Sequence, residues 1–543
     1  MSAEGSSQPR PAARGVARNT AIFAIATGLS RVAGLVREIV ASSYFATSGA
    51  FSAFTIAFQL PNLVRSLFAD SALSAAFVPV FTEMLEKGDK RDAVRLASTL
   101  FFVILAVLGT ATLVFIAGAN TIVPLFTGGH FSSHLDSLTA GLSQVLFPIV
   151  VLLGLNGLLV GILNAYDHFA IPAISPLVWN AVILVFLIGT KPLFHGDDQL
   201  YAYALGILAG TIVQLGMVAP VLARLGFRLH LSFDWRDPRV KQVFTLMVPV
   251  TIGLGIINFD LFLNSILGSL ISDQAPRAID AAFRIYMLPQ GIFSVAIATV
   301  LFPALSRFAA RQDLEGLRER LGQGMRLVSL LLIPAAAATL ALATPITRLI
   351  YQHGNFGPHS THLVSTALFW FSFSLPFSGL NLLLTRTFFS LQKPWLPTTM
   401  AVGSLFVNLV VSLALYKPFG IAGPVIGTAV ASAAMMALQA RLARRELAGR
   451  LEGRETLAAA FAMCSAAAVL GAVAWIVWAG LDVVFGRSVF GQIVSVGLGL
   501  GVGAVAYARA VLWLRISEAE QVAQFAARRV PALRDLLGVR DLV

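Results

Sequence analysis

Long apolar runs alternate with short polar breaks along the whole chain. A window of about 20 residues, the length of helix that crosses a bilayer, separates fourteen such runs. They cover residues 19–45, 51–84, 94–118, 138–166, 173–193, 200–223, 243–270, 278–308, 324–350, 362–390, 396–416, 421–446, 457–482 and 488–514. Several exceed what a straight span requires, which predicts tilt or protrusion beyond the bilayer. The pattern predicts an all-α polytopic membrane protein with fourteen transmembrane helices. Composition agrees: 57% of the 543 residues are hydrophobic and 12% charged, with a mean hydropathy of +0.80, outside the range of soluble domains. The single cysteine, Cys464, lies inside an apolar run, so neither a disulfide framework nor a Cys-based metal site is available.

The net charge of +12 would suggest nucleic acid in a soluble protein, but here it follows topology and implies no nucleic-acid partner. Lys87, Lys90, Arg91 and Arg95 follow the second run, and Arg224, Arg228, Arg236, Arg239 and Lys241 the sixth. Arg307, Arg311, Arg318 and Arg320 follow the eighth, and Arg441, Arg444, Arg445, Arg450 and Arg454 the twelfth. The alternate segments 46–50, 119–137 and 351–361 hold no Lys or Arg. Positive charge marks the cytoplasmic side, and an even number of spans then places both termini there. Residues 1–18 read as a disordered cytoplasmic tail and 515–543 as a cytoplasmic C-terminal tail.

The chain also repeats itself. "LNGLLVGILNAYDHFAIP" (155–172) aligns without a gap on "LNLLLTRTFFSLQKPWLP" (380–397), and "LPNLVRSLFADSALSAAFVP" (60–79) echoes "LPQGIFSVAIATVLFP" (288–303). Six spans per copy is an even number, so both copies insert the same way round, as a parallel repeat. The predicted organisation is an N-lobe over 19–223 (spans 1–6), a linker over 224–242, a C-lobe over 243–446 (spans 7–12) and a terminal helix pair within 447–514. A substrate would sit in the cleft between the lobes, and a monomer suffices to make one.

Several charges interrupt the apolar runs. Arg31, Arg37 and Glu38 lie in the first, Arg65 in the second, Arg284 in the eighth and Arg386 in the tenth. A central Arg costs about 2.5–3.5 kcal/mol on insertion scales. Four facing lipid would cost on the order of 10 kcal/mol, as much as a domain's net stability. Arg386 is near a helix end and can snorkel to the headgroups. Arg31, Arg37, Arg65 and Arg284, drawn from both halves, point to a cationic cavity. Arg37 projects about 120° away from Arg31, so one helix face does not present both equally, and pairing with Glu38 is the competing structural role. Guanidinium groups suit phosphate or carboxylate; with only Glu38, Asp70 and Asp260 as acids within the spans, the ligand is an anion. Asp260 reads equally as an ion-coupling group or as a polar contact to Asn258 or Asn264. His353, His359 and His362 read as loop histidines, since no acid or cysteine accompanies them. Pro61, Pro148, Pro289 and Pro376 break spans in both halves, which suits a cleft that opens and closes.

"GLSRVAGLVRE", "AFQLPNLVRSLFADSALSAAFVPVFTE" and "FRIYMLPQGIFSVAIATVLFPALSR" resemble the MurJ (MviN) family, the lipid II flippases of peptidoglycan synthesis within the MOP exporter superfamily. The resemblance implies a V-shaped pair of six-helix bundles around a central cationic cavity, with the terminal pair lining a groove for an isoprenoid tail. It implies lipid II, undecaprenyl-pyrophosphate carrying a disaccharide pentapeptide, as substrate, transport by alternating access, and no enzymatic activity. The family's essential cavity arginines fall on Arg31, Arg37, Arg65 and Arg284. Gating or ion coupling falls on Glu38, Asp260 and Asn264. Some relatives hold sodium with the acid of helix 7 and polar groups of helix 11, which carries a sodium site onto Asn264, Asn381 and Thr385; the membrane potential is the other energy source. Departures are Glu38 for Asp, Ser52 and Met287 where many members carry polar or acidic groups, and the exchange of Asp and Asn between Asp260 and Asn264. Two alternatives stand: an exporter of another lipid-linked oligosaccharide, and a non-transporting membrane scaffold for other cell-wall synthesis proteins. A membrane enzyme is disfavoured because paired carboxylates and nucleophile–base sets are lacking beside the spans.

Overall fold

The computed structural model describes residues 11–529 apart from 68–69, 128–130, 167, 169 and 448–452. Of 11–25, 66–67, 70–75, 249–250, 252–254, 256–257, 454 and 525–529 it describes the backbone alone. The side chain of Asp70 and the segments 1–10 and 530–543 of the two expected tails therefore lie outside the described residues. The described residues are helical, with no strand among them.

Chain order gives α1 (Pro11–Phe45), α2 (Gly49–Leu67), α3 (Asp70–Glu86), α4 (Lys90–Phe126), α5 (Ser133–Leu146), α6 (Ile149–Ala165), α7 (Ala170–Thr190), α8 (Gln199–Arg224) and α9 (Pro238–Ser269). Then follow α10 (Ala275–Pro289), α11 (Val295–Ala310), α12 (Leu314–Ala341), α13 (Ala343–Tyr351), α14 (Pro358–Ser390), α15 (Trp395–Phe419), α16 (Ala422–Glu446), α17 (Gly453–Phe485), α18 (Val489–Trp513) and α19 (Ser517–Arg529). Each predicted run falls on one helix or on two in succession. The second is α2 with α3, the fourth α5 with α6, the eighth α10 with α11 and the ninth α12 with α13. Pro148 separates α5 from α6, and a π-helical turn over Gln290–Ser294 follows Pro289 and joins α10 to α11. Eleven of the described helical stretches are long and apolar enough to cross a membrane.

Helices outrun their apolar windows, because a helix end in water keeps its backbone bonds with polar side chains. "LEGLRERLGQ" thus starts α12 well before residue 324, and α1 starts at Pro11, inside the stretch expected to be disordered. Proline is favoured at a first helical position, and "PAARGVAR" holds three alanines and two arginines, both good helix formers.

The chain divides into two compact units, Met1–Phe262 and Leu263–Val543, with the division inside α9. In the first, α1 packs on α7, α2 and α3 on α5 and α6, α4 on both of these, and α7 on α8. Its core includes Phe54 stacked on Tyr203 and Phe115 on Phe147. In the second, α10 and α11 pack on α14, α12 on α14 and α17, α14 and α15 on α16, and α17 on α18. The quoted repeat keeps its punctuation: Ala165 and Ser390 end their helices and Ala170 and Trp395 begin the next, both pairs 225 residues apart.

Gly420, at φ +53°, turns the chain between α15 and α16, and Gly423 then lets the two backbones touch. A Cβ on Gly423 would lie 2.7 Å from the Leu415 carbonyl, whereas one on Gly403 meets nothing within 4 Å. Gly423→Ala is expected to destabilise the protein by about 1–3 kcal/mol through this overlap. Gly403→Ala is expected to be neutral or stabilising by up to about 1 kcal/mol. Thermal unfolding of the two variants in detergent, compared with wild type, checks both.

Candidate functional site

The first unit carries three of the four singled-out arginines. On α1, Arg31 is exposed and has no hydrogen-bond or ion-pair partner among the described residues. Arg37, two turns on, is 8% exposed. Its Nη1 donates to Asn180 Oδ1 at 2.9 Å, and its guanidinium carbon lies 4.9 Å from the centre of the Trp179 ring. Asn180 is fixed in turn, because its amide nitrogen donates to the carbonyls of Pro176 (2.9 Å) and Ser30 (3.4 Å). That uses the donor end and aims the oxygen at Arg37. The two α1 arginines thus separate as helix geometry requires: one faces outward, the other is sealed between α1 and α7. Glu38 is buried beside Arg37, at 3% exposure.

Arg65, half-buried in the last turn of α2, donates from Nε to Asn62 Oδ1 at 3.2 Å. Asn62 is held by its own bond to the Phe58 carbonyl at 3.0 Å. Asp260 is half-buried on α9.

The second unit carries Arg284, on α10. Its Nε donates to Asp280 Oδ2 at 2.8 Å, and the same oxygen accepts from Arg277 Nη1 at 2.9 Å. The Arg277 side chain is 1% exposed, that of Asp280 6% and that of Arg284 34%. Sequence reasoning missed Arg277 and Asp280, although their spacing of three and four residues along one helix face was a readable signal. Arg326 and Arg348, also inside an apolar run, were missed, and both meet carboxylates. Arg326 of α12 pairs with Glu518 of α19, and Arg348 of α13 lies 3.8 Å from Asp482 of α17. Arg386 sits over the Phe302 ring, with its guanidinium carbon 5.5 Å from the ring centre.

The residues expected to hold sodium do not come together. Asn264 donates to Thr428 Oγ1 at 2.9 Å and accepts from Asn408 Nδ2 at 3.3 Å. Ser412 donates to Asn408 Oδ1 at 2.9 Å. Asn381 instead donates to the Ser432 carbonyl at 2.9 Å, and Thr385 accepts from Gln439 at 3.0 Å. The polar partners of Asn264 therefore lie on α15 and α16. Among the described residues no carboxylate contacts Asn264, and its amide oxygen already faces an N–H donor. A hard cation requires several oxygens turned inward together, so this neutral, mutually bonded set does not fit one. Of the histidines expected in a loop, His353 bonds the Leu349 carbonyl at 3.1 Å, whereas His359 and His362 stand at the start of α14, His359 meeting the Gln274 side chain at 3.0 Å.

A second feature of this unit is a groove of about 550 Å³ between α12, α18 and α19, with Leu470 of α17 at its wall. Leu330, Pro334, Leu500 and Tyr507 are among its lining, which is almost wholly apolar, and Ala519 and Val522 of α19 close one side. The family resemblance implies a groove at the terminal helix pair and does not include α19 in it.

The family model "Lipid II flippase MurJ" matches residues 41–493. A lipid II flippase MurJ of Burkholderia cenocepacia is 30% identical over 402 residues, which are 73% of this chain and 78% of that one. Among solved structures, a lipid II flippase MurJ in an inward closed conformation superposes with a TM-score of 0.75 at 20% identity, covering 91% of this chain and 99% of that one. An inward-facing multidrug resistance MATE transporter of the MOP superfamily gives 0.66 at 13% identity, covering 77% and 94%. The fold is thus that of MOP-superfamily transporters, and the match across both sequence repeats and both compact units establishes that the chain belongs to the MurJ family.

Proposed function

We propose that this multi-pass membrane protein is a lipid II flippase, a transporter and not an enzyme. It moves undecaprenyl-pyrophosphate-linked peptidoglycan precursor from the inner to the outer leaflet of the cytoplasmic membrane. The observation that carries this reading is the family match over 41–493, which contains Arg65 and Arg284. Arg31, Arg65 and Arg284 bind the pyrophosphate. Each is partly or fully exposed, and the guanidinium plane matches paired phosphate oxygens. Arg37 supports the site from within, joining α1 to α7 through Asn180 and Trp179. The groove beside α12 holds part of the isoprenoid tail, whose burial there replaces contact with lipid at little cost. Both termini are cytoplasmic, the two halves alternate in access, and a monomer suffices.

Sodium at Asn264 has no part in this mechanism, since the amide is satisfied by Thr428 and Asn408. Energy comes from the membrane potential, at about 2.3 kcal/mol per charge per 100 mV. The arginines and the pyrophosphate are the charges that move.

In cells depleted of their own flippase, wild type is expected to restore lipid II at the outer leaflet, and Arg31→Ala and Arg284→Ala to lose at least about tenfold of that activity, the loss of one charge-assisted bond. The Arg31→Ala protein should melt like wild type, whereas Arg37→Ala should also lose about 1.5–3 kcal/mol of stability. Failure of a well-inserted wild type to deliver lipid II would turn the reading to another lipid-linked substrate.

Transport in proteoliposomes is expected to change less than about twofold when potassium replaces sodium, and to rise severalfold under an imposed potential. A strict sodium requirement would restore an ion site that the bonding around Asn264 argues against.

A further inference from the structure

We infer that Asp280, locked in place by the buried Arg277, is a positioning residue that aims Arg284 at the pyrophosphate. This rests on the pyrophosphate role of Arg284 given above.

One carboxylate oxygen, Asp280 Oδ2, accepts from Arg277 Nη1 at 2.9 Å and from Arg284 Nε at 2.8 Å. The three residues stand on one face of α10, one turn apart in succession, so the backbone alone sets their register. Burial grades along that face. Arg277 is 1% exposed, the Asp280 side chain 6% and Arg284 34%. The first two are core groups and the third reaches out of the core. A buried guanidinium with no counter-charge would be strongly destabilising, so Arg277 and Asp280 hold each other in place. Asp280 then holds Arg284 by its Nε, at 2.8 Å.

An arginine on an unconstrained stem samples many rotamers and loses that freedom when it binds. Anchoring Nε beforehand removes most of this cost and gives the planar group one direction. The rest of α10 is equally fixed. Tyr286 donates to Ser378 at 2.7 Å, Tyr351 reaches the Ala281 carbonyl at 3.4 Å, and Phe283 and Tyr286 both pack on Phe371.

A purely structural Arg277–Asp280 pair would leave substrate binding unchanged once folding is preserved, which gives the test. Undecaprenyl pyrophosphate binding to the full-length protein in detergent would be measured for wild type, Arg284→Ala, Asp280→Asn, the combination of these two, and Arg277→Met with Asp280→Asn. Each melting temperature would be recorded. Arg284→Ala is expected to weaken binding by about 10- to 100-fold. Asp280→Asn should weaken it severalfold, and add nothing in the Arg284→Ala background, because residues acting through one another are not additive. Arg277→Met with Asp280→Asn removes both charges of the buried pair together, so it should melt close to wild type and still bind severalfold more weakly. Normal binding by that double variant, or an equal loss from Asp280→Asn with and without Arg284, would overturn the positioning role. Normal binding by Arg284→Ala would instead remove the pyrophosphate reading, and the positioning role with it.

Discussion

A guanidinium inside an apolar helix bundle must meet an oxygen, and the bundle answers that demand in two ways. Arg37 is met by the amide of Asn180, whose nitrogen is occupied by backbone carbonyls. Arg326 and Arg348 are met by the carboxylates of Glu518 and Asp482. An amide fixes direction without cancelling charge, while a carboxylate does both. Arg277 and Arg284 share the carboxylate of Asp280 along one helix face.

The sequence repeat shows the same demand answered differently in its two copies. The first and fifth runs meet through Arg37 and Asn180, and the seventh and eleventh through Asn264 and Asn408. Equivalent helix pairs thus carry a cation–amide contact in one half and an amide–amide contact in the other. Other pairings recur as well: α2 and α3 on the α5–α6 rod match α10 and α11 on α14, and α7 on α8 matches α15 on α16. A duplicated packing scheme with its polar contacts changed independently gives one shared scaffold and two different electrostatic interiors.

Much of this was legible in the sequence, because hydrophobic length and repetition are properties of a contiguous stretch. The runs, the repeat and the arginines Arg31, Arg37, Arg65 and Arg284 all follow from the cost of placing charge among apolar residues. Partners were not legible where they are remote: Arg37 and Asn180 are 143 residues apart, and no local pattern couples them. Arg277 was overlooked because it stands just outside the window beginning at 278, where it counts as a loop charge. α19 was overlooked because it is a short amphipathic helix rather than an apolar run. Asn264 was grouped with Asn381 and Thr385 because a list of spans does not say which helices touch.

The place where α10 gives way to α11 ties Arg284 to the rest of its unit. The π-helical turn over Gln290–Ser294 begins one and a half turns after Arg284, and Gly379 of α14 packs directly on it. A Cβ at Gly379 would lie 2.8 Å from Ser294 Oγ and 3.1 Å from Val328 of α12. Three elements therefore meet at one residue without a side chain: the turn below Arg284, the central helix α14, and α12, which also forms a wall of the apolar groove. Arg284 and the apolar groove are thereby tied to one junction, where the turn after α10 meets α12 and α14.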